Sequence, residues 1–306
     1  MIRIATVADH EQIVDLLAVK SVNTTTPERF AGLLASGEYR YEHTWVAESA
    51  PGRIEAAAIW WTFPEGTAPM ALDGLAAASV ADPVPLWTDL VRAGLAACSP
   101  PGEGEYHLFL PPGWRDDPQI TAELEPRLAA ARAAGMASTV ERLRFEWVAA
   151  TPVPGRSTRL RFVPTADDQA FVDIFMRVAA GSLDAATLSE VAQHGLEAYA
   201  RSDVELYKRM PGERSWWKLA YDAAGDLVGF AIPSRNSGGP VVGFLGVVPE
   251  HRGRGYAADL LAEITADLAD MGAQRIAADT DLGNVPMAET FRRLGYTNFA
   301  VRLVLS

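Results

Sequence analysis

Gly243-Phe244-Leu245-Gly246-Val247-Val248-Pro249-Glu250-His251-Arg252-Gly253-Arg254-Gly255-Tyr256-Ala257 is the stretch on which the reading of this 306-residue chain turns. An apolar run stops at Pro249, a short loop carries two arginines and two glycines, and a helix begins at once. Glycines let the backbone approach a ligand closely. Consecutive N–H groups at the start of a helix bind an anion, helped by the helix dipole. Arg252 and Arg254 suit a diphosphate, because charge-assisted bonds to phosphate are roughly twice as strong as neutral ones. The same residues would equally build a tight strand-to-helix turn with solvated arginines. Other phosphate motifs fit poorly. A P-loop needs Lys and then Ser or Thr after its second glycine, where Tyr256 and Ala257 stand. The dinucleotide fingerprint needs three glycines near the start of a βαβ unit.

Outward from this stretch the pattern is α/β. Val241 to Val248 reads as a strand buried on both faces. Trp216 to Tyr221 and Leu227 to Pro233 read as strands around the turn Asp222-Ala223-Ala224-Gly225. Ala257 to Met271 has helical periodicity, and Gly272 closes it. Arg275 to Thr280 is a strand, Pro286 to Leu294 a helix that ends at Gly295, and Ala300 to Leu305 the last strand. The chain also echoes itself. Arg3-Ile4-Ala5-Thr6 followed by Asp9 resembles Arg161-Phe162-Val163-Pro164 followed by Asp167. Ala131-Arg132-Ala133-Ala134-Gly135-Met136 resembles Phe291-Arg292-Arg293-Leu294-Gly295-Tyr296. Residues 149–157, rich in proline and small side chains, read as a linker. A tandem repeat follows, with domains at 1–150 and 158–306, each a mixed, mostly antiparallel sheet flanked by helices.

Composition narrows the classes of function. Hydrophobic residues make up 49% of the chain and charged residues 22%, which is globular. A net charge of −12 disfavours phosphate backbones and anionic lipid as partners, so neither nucleic acid nor a membrane is expected. Cys98 is the only cysteine, which excludes an internal disulfide and a thiolate-cluster metal site. The five histidines show no metal spacing, and no metal is expected. No run reaches the roughly 18 apolar residues of a membrane span, and the N-terminus lacks a signal pattern, so a cytoplasmic protein is expected.

At Arg252-Gly253-Arg254-Gly255-Tyr256-Ala257, preceded by Val247-Val248-Pro249, the chain resembles the GCN5-related N-acetyltransferase (GNAT) family. That family's loop reads Arg or Gln, two residues, Gly, one residue, then Gly or Ala. Asn284-Val285-Pro286-Met287 followed by Leu294-Gly295-Tyr296 resembles its second motif. The two-copy layout resembles the tandem, mycothiol synthase-like acetyltransferases of actinobacteria, without a close match to their substrate residues. The resemblance implies acetyl-CoA as co-substrate, lying where two strands splay apart. Its contacts would come from Gly246, Val247, Val248, Arg252, Gly253, Arg254, Gly255, Tyr256, Ala257, Asn284, Met287 and Phe291. A backbone N–H of the Gly246–Val248 strand would face the thioester carbonyl. Asn284 would bond the pantetheine arm or cap the helix after it. The first copy departs from the pattern: Leu75-Ala76-Ala77-Ala78-Ser79-Val80-Ala81-Asp82-Pro83 has no arginine and no glycine pair, and Asp82 would repel a diphosphate.

The implied reaction is acetyl transfer to a small amine by direct attack in a ternary complex. Only about one in a thousand amines of pKa near 10 is neutral at pH 7, a deficit of roughly 4 kcal/mol that a general base can supply. Asp184 and Asp281 are the leading base candidates, with Glu190 and Asp279 behind them. The family's tyrosine acid falls at Phe291, and Tyr296 reads as a packing aromatic. The alternatives are a protein, peptide or longer-acyl N-acyltransferase, and a non-catalytic acyl-CoA-binding regulator. The tandem copy suggests a monomer with an internal pseudo-dimer.

Overall fold

The computed structural model describes residues 1–18, 22, 25–79 and 81–306. The chain divides into two compact units, Met1–Glu141 with Val301–Ser306, and Arg142–Ala300. Through the first unit run β1 (Ile2–Ile4), α1 (His10–Ala18), α2 (Pro27–Ser36), β2 (Tyr39–Ala50), β3 (Arg53–Trp61), β4 (Ala71–Ala77), α3 (Val84–Ala97), β5 (Glu105–Leu110) and α4 (Pro118–Ala134). β6 (Thr139–Val148) carries the chain into the second unit. There follow β7 (Arg161–Pro164), α5 (Asp168–Ala179), α6 (Ala185–His194), α7 (Leu196–Arg209), β8 (Lys218–Tyr221), β9 (Leu227–Asn236) and β10 (Gly239–Val247). α8 (Tyr256–Asp270), β11 (Arg275–Asp281), α9 (Val285–Arg293) and β12 (Thr297–Leu305) complete the chain.

Each unit is α/β with a mixed, mostly antiparallel sheet. In the first the order is β1-β2-β3-β4-β5-β12, and only β4 and β5 run parallel. In the second it is β6-β11-β10-β9-β8-β7, and only β10 and β11 run parallel. The division differs from a cut in the 149–157 linker by one strand at each end. Arg142 to Val148 pair with β11 from Asp281 to Arg275, and Val301 to Leu305 pair with β5. The closing strand of each sequence half thus finds its ladder in the other unit, which is why the linker falls inside the second.

Three helices precede β8 in this unit, because Gly195 at φ +85° ends α6 and starts α7. Trp216 closes a short 3-10 turn and is not in the strand, while Trp217 beside it is buried. The core of the second unit is aromatic: Phe171, Phe175, Tyr199, Trp217 and Phe230 are buried, with Tyr207 and Phe244 against them. Each such ring contributes about 1.5–3 kcal/mol by leaving water.

β10 corrects the expectation of a strand buried on both faces. Val241, Gly246 and Val248 are buried, whereas Val242 to Leu245 and Val247 are half-buried. β11 touches it at the single register pair Val241↔Ala277, after which the two strands diverge. Gly246 is a packing requirement there, since a Cβ would stand 2.5 Å from Val178 Cγ1 and 2.9 Å from Phe230.

The ladder yields a test of the division. A chain restricted to residues 158–306 lacks β6 and leaves the outer edge of β11 bare, an invitation to aggregation. It is expected to be largely insoluble, whereas a chain spanning 142–300 keeps the ladder and melts cooperatively. Soluble yield and thermal circular dichroism of the two check this, and the reverse ranking would show β6 dispensable.

Candidate active site

The turn before α8 is built for an anion. Gly253 and Gly255 sit at φ +75° and +81°, in the left-handed region that costs other residues a steric penalty. Gly255 is the N-cap and has no side chain to satisfy the first turn. Ala258 N–H bonds the Gly255 carbonyl at 3.1 Å, so the N–H groups of Gly253 through Ala257 precede the helical ladder. Arg254 is exposed at this point, and Tyr256 and Ala257 are half-buried. Arg159 steadies the turn: it donates to the Arg254 carbonyl at 3.1 Å, pairs with Asp259, and lies 4.8 Å from the Tyr256 ring centroid.

Arg252 has a different occupation from the one its motif suggests. Its Nε donates to the Val247 carbonyl at 3.0 Å, and Nη1 donates to Ala180 at 2.7 Å and Gly181 at 3.1 Å. Nη2 donates to Val178 at 2.6 Å. The guanidinium therefore ties the C-terminal end of α5 to the end of β10, spending its N–H groups on backbone carbonyls.

The diverging edge of β10 supplies the second half of the site. Tyr207 Oη donates to the Gly243 carbonyl at 3.0 Å and Arg252 takes that of Val247, so these alternate residues point away from β9. By strand alternation, the N–H and carbonyl of Leu245 face the same open edge. Val248 N–H is already given to the Val228 carbonyl at 2.9 Å. Leu245, which the motif did not single out, is thus the backbone group best placed for an extended ligand arm. Gly246 and Val248 are not.

Beyond β11, Asn284 caps α9 by accepting from Met287 N–H at 3.4 Å, and Met287 is half-buried. Phe291 is the clearest correction. It is 2% exposed and stacks on Phe145 at 5.0 Å, inside the core and not along a ligand groove. Tyr296 packs against Phe291 and bonds Thr265 Oγ1 at 2.7 Å; burial pushes its phenol well above the ordinary range.

The acidic candidates come together, but around a cation. Asp184 caps α6 through Thr187 N–H at 2.9 Å and accepts from Arg142 at 3.2 Å. Asp281 accepts Ala185 N–H at 2.6 Å, and its other oxygen lies 3.3 Å from Arg142 Nε. Asp279 pairs with Arg144 at 3.2 Å, and Glu190 faces His194 at 3.7 Å. Asp184 and Asp281, expected as bases, are fixing α6 to β11 through Arg142. Asp203 on α7 was not anticipated. Burial raises its carboxyl to about 6, opposed by a hydrogen bond from Tyr199 and aided by the negative charges of Asp184 and Glu190. Its sequence signal is the spacing Tyr199-Asp203-Tyr207, three groups on one face of a helix.

Two other features do not join this site. A cleft of about 420 Å³ lies at the far end of α7 and shares only Tyr207 with it; Lys208 and Arg214 in its wall both pair with Asp168. Among the described residues one group could ligate a metal, Asp222, Asp226 and His251, with ligand atoms within 4.8 Å. Asp222 already accepts from Ala224 and Asp226 N–H, and His251 Nδ1 faces Arg254 at 3.4 Å.

The first unit has the same splay, with β4 and β5 joined only at Ala71↔Glu105 and Leu72↔Tyr106. Here the protein fills it. Asp82 Oδ1 caps Val84 N–H at 3.0 Å, placing a carboxylate at the start of α3. Buried Trp87 donates its indole N–H to the Ala76 carbonyl at 3.2 Å, and the Arg127 guanidinium lies 4.8 Å from its ring.

Residues 184–296 match the model of the acetyltransferase (GNAT) family. This stretch is similar to that family. A mycothiol acetyltransferase of Pseudarthrobacter chlorophenolicus is 29% identical over 149 residues, 45% of this chain and 42% of that protein. The matched stretch therefore spans less than half of the relative. Among solved structures, a GCN5-related N-acetyltransferase from Sphaerobacter thermophilus superposes with a TM-score of 0.60 at 18% identity, over 100% of this chain and 94% of the other. A tandem GNAT protein from the clavulanic acid biosynthesis pathway gives 0.50 at 16% identity, over 100% and 98%. These likenesses show a tandem GNAT fold, and the family supports acyl transfer from acyl-CoA in general. No helix among the described residues is long and apolar enough to cross a membrane.

The two arginines of the GNAT loop should separate experimentally. Arg252→Ala leaves carbonyls on α5 and β10 without their donor and is expected to cost about 1.5–3 kcal/mol of stability in urea melts. Arg254→Ala should leave stability unchanged and weaken CoA binding about tenfold, on the order of 1.4 kcal/mol, by calorimetry. The opposite pattern would return the phosphate role to Arg252.

Proposed function

We propose that the chain is an acetyl-CoA-dependent N-acetyltransferase that acts on a small amine by direct attack in a ternary complex. The observation that carries this reading is the strand β10, opened along one edge beyond Val241↔Ala277 and ending in a turn whose N–H groups, from Gly253 to Ala257, precede the helical ladder. Those groups and Arg254 would hold the diphosphate of acetyl-CoA, and the Leu245 edge would pair with its extended arm. Acetyl-CoA supplies the activated acyl group. The chain supplies alignment of donor and acceptor, which replaces a bimolecular encounter by an intramolecular one. It also supplies a backbone donor, Leu245 N–H, toward the carbonyl oxygen that gains charge during attack.

The relative named a mycothiol acetyltransferase supports an acetyl donor and a small acceptor. The acceptor side is walled by α6 and α7, whose carboxylates Asp184, Glu190 and Asp203 favour a cationic amine over an anionic substrate. Phe291 in the core leaves that position without a hydroxyl acid. CoA thiolate is a tolerable leaving group, since a free thiol has a pKa of about 8.5.

Incubation of the whole chain with acetyl-CoA and a panel of glucosamine, spermidine and amino acids tests this, with free thiol measured over time. Amine-dependent release that saturates in acetyl-CoA is expected, with Gly255→Val reducing it at least about tenfold because a branched residue resists the left-handed turn. Tight CoA binding with no amine-dependent release would instead make the protein an acyl-CoA-binding regulator.

A further inference from the structure

Amine acetylation needs a place for the ammonium proton, and the two carboxylates nearest the end of β11 are engaged elsewhere. Asp281 takes Ala185 N–H, Asp184 caps α6, and Arg142 stands between them. Asp203 is bracketed by contacts to both strands of the splay. On one side, Tyr207, one helical turn away, donates to Gly243 of β10. On the other, Tyr199, one turn back, bonds Asp203 and meets Thr187 at 3.4 Å. Thr187 in turn bonds Asp184, which Arg142 joins to Asp281 of β11. Gly243 lies two strand residues before Leu245, about 7 Å along β10. Asp203, about 6 Å before Tyr207 along α7, is then placed to reach the attacking nitrogen through one water.

We propose that Asp203 receives the proton of the acceptor's ammonium group through a bound water, with Tyr199 and Tyr207 as the residues that position it. This rests on the acetyltransferase reading above. The ammonium gives one proton to the Asp203 carboxylate, and the neutral nitrogen then forms the C–N bond as the C–S bond breaks. The remaining extra proton on nitrogen goes to the departing CoA sulfur, and Asp203 returns its own proton to solvent.

The charged groups around Asp203 agree with such a role. Tyr199 and Tyr207 face it from α7, Asp184 and Glu190 from α6, while Arg142 of β6 and Asp279 and Asp281 of β11 lie beyond Asp184. Among the described residues no cation pairs with it. A carboxyl raised from 3.8 to about 6 binds its proton more readily folded than unfolded. Its stabilising contribution is therefore present at low pH and lost as pH rises through about 6. At pH 7 the ionised form weighs against stability.

The test uses the whole chain. In ¹³C-carboxyl aspartate spectra, wild type should show one carboxyl titrating near pH 6 that Asp203→Asn lacks. Asp203→Asn should bind CoA within about twofold of wild type and melt no lower at pH 7. Its kcat/KM for the best amine of the panel should fall by roughly 10²–10⁴ between about pH 6 and 8. Hydroxylamine, already neutral at pH 7, should lose less than about tenfold. Tyr199→Phe removes a bond to the ionised carboxylate and should move the acid limb of the pH profile to higher pH. A carboxyl at position 203 titrating below about pH 4.5, or an Asp203→Asn enzyme within threefold of wild type on amines, overturns the proposal alone. A wild type that binds acetyl-CoA and acetylates no amine overturns the parent reading and this one with it.

Discussion

The single register pair Val241↔Ala277 is the constraint on which the second unit turns. A parallel pair joined at one point and open beyond it exposes a row of backbone donors and acceptors inside a domain. Such an edge must be held, because unpaired buried amides cost about as much as lost hydrogen bonds. The chain holds it from two sides with side chains. Tyr207 takes the Gly243 carbonyl and Arg252 that of Val247, so Leu245 between them is presented to a ligand. The first unit keeps the same opening and closes it with its own atoms, Asp82 at the helix start and the Trp87 indole on Ala76. One fold thus gives a receptive edge or a sealed one, according to which side chain meets the carbonyl row.

Arg252 shows how a motif residue can be occupied within the fold. The guanidinium offers five donors in a fixed fork, and four of its hydrogen bonds go to carbonyls at the ends of α5 and β10. Those carbonyls cluster because α5 ends against Gly246, where only a glycine lets Val178 come close. The positive charge still lies behind the turn and favours an anion there. Arg254 beside it is exposed, with its guanidinium 3.4 Å from His251 Nδ1.

Much of this was legible in the sequence, for physical reasons that also mark its limit. The turn at Gly253 and Gly255, the caps at Asp184 and Asn284, and the α/β alternation are local, and local chemistry is written in adjacent residues. β10 misled because an apolar strand with an edge open to a ligand arm has the composition of one buried on both faces. The exchange of β6 and β12 was invisible, since two similar halves present the same alternating pattern and either pairing would satisfy it. Phe291 and Phe145 are separated by most of the second unit, and nothing local announces that they stack.

The exchange has a chemical consequence. Arg142 comes from β6, a strand that the sequence assigns to the first half, yet it neutralises Asp184 and Asp281 in the second. Without β6 those two carboxylates would face each other uncompensated, and like charges at such a distance raise one another's proton affinity. With Arg142 present, both are committed to joining α6 to β11. A carboxylate with a raised proton affinity lies one helix away, at half-buried Asp203, which pairs with no cation among the described residues. A division among acidic groups follows: those with a cation join α6 to β11, and Asp203, without one, keeps a raised proton affinity.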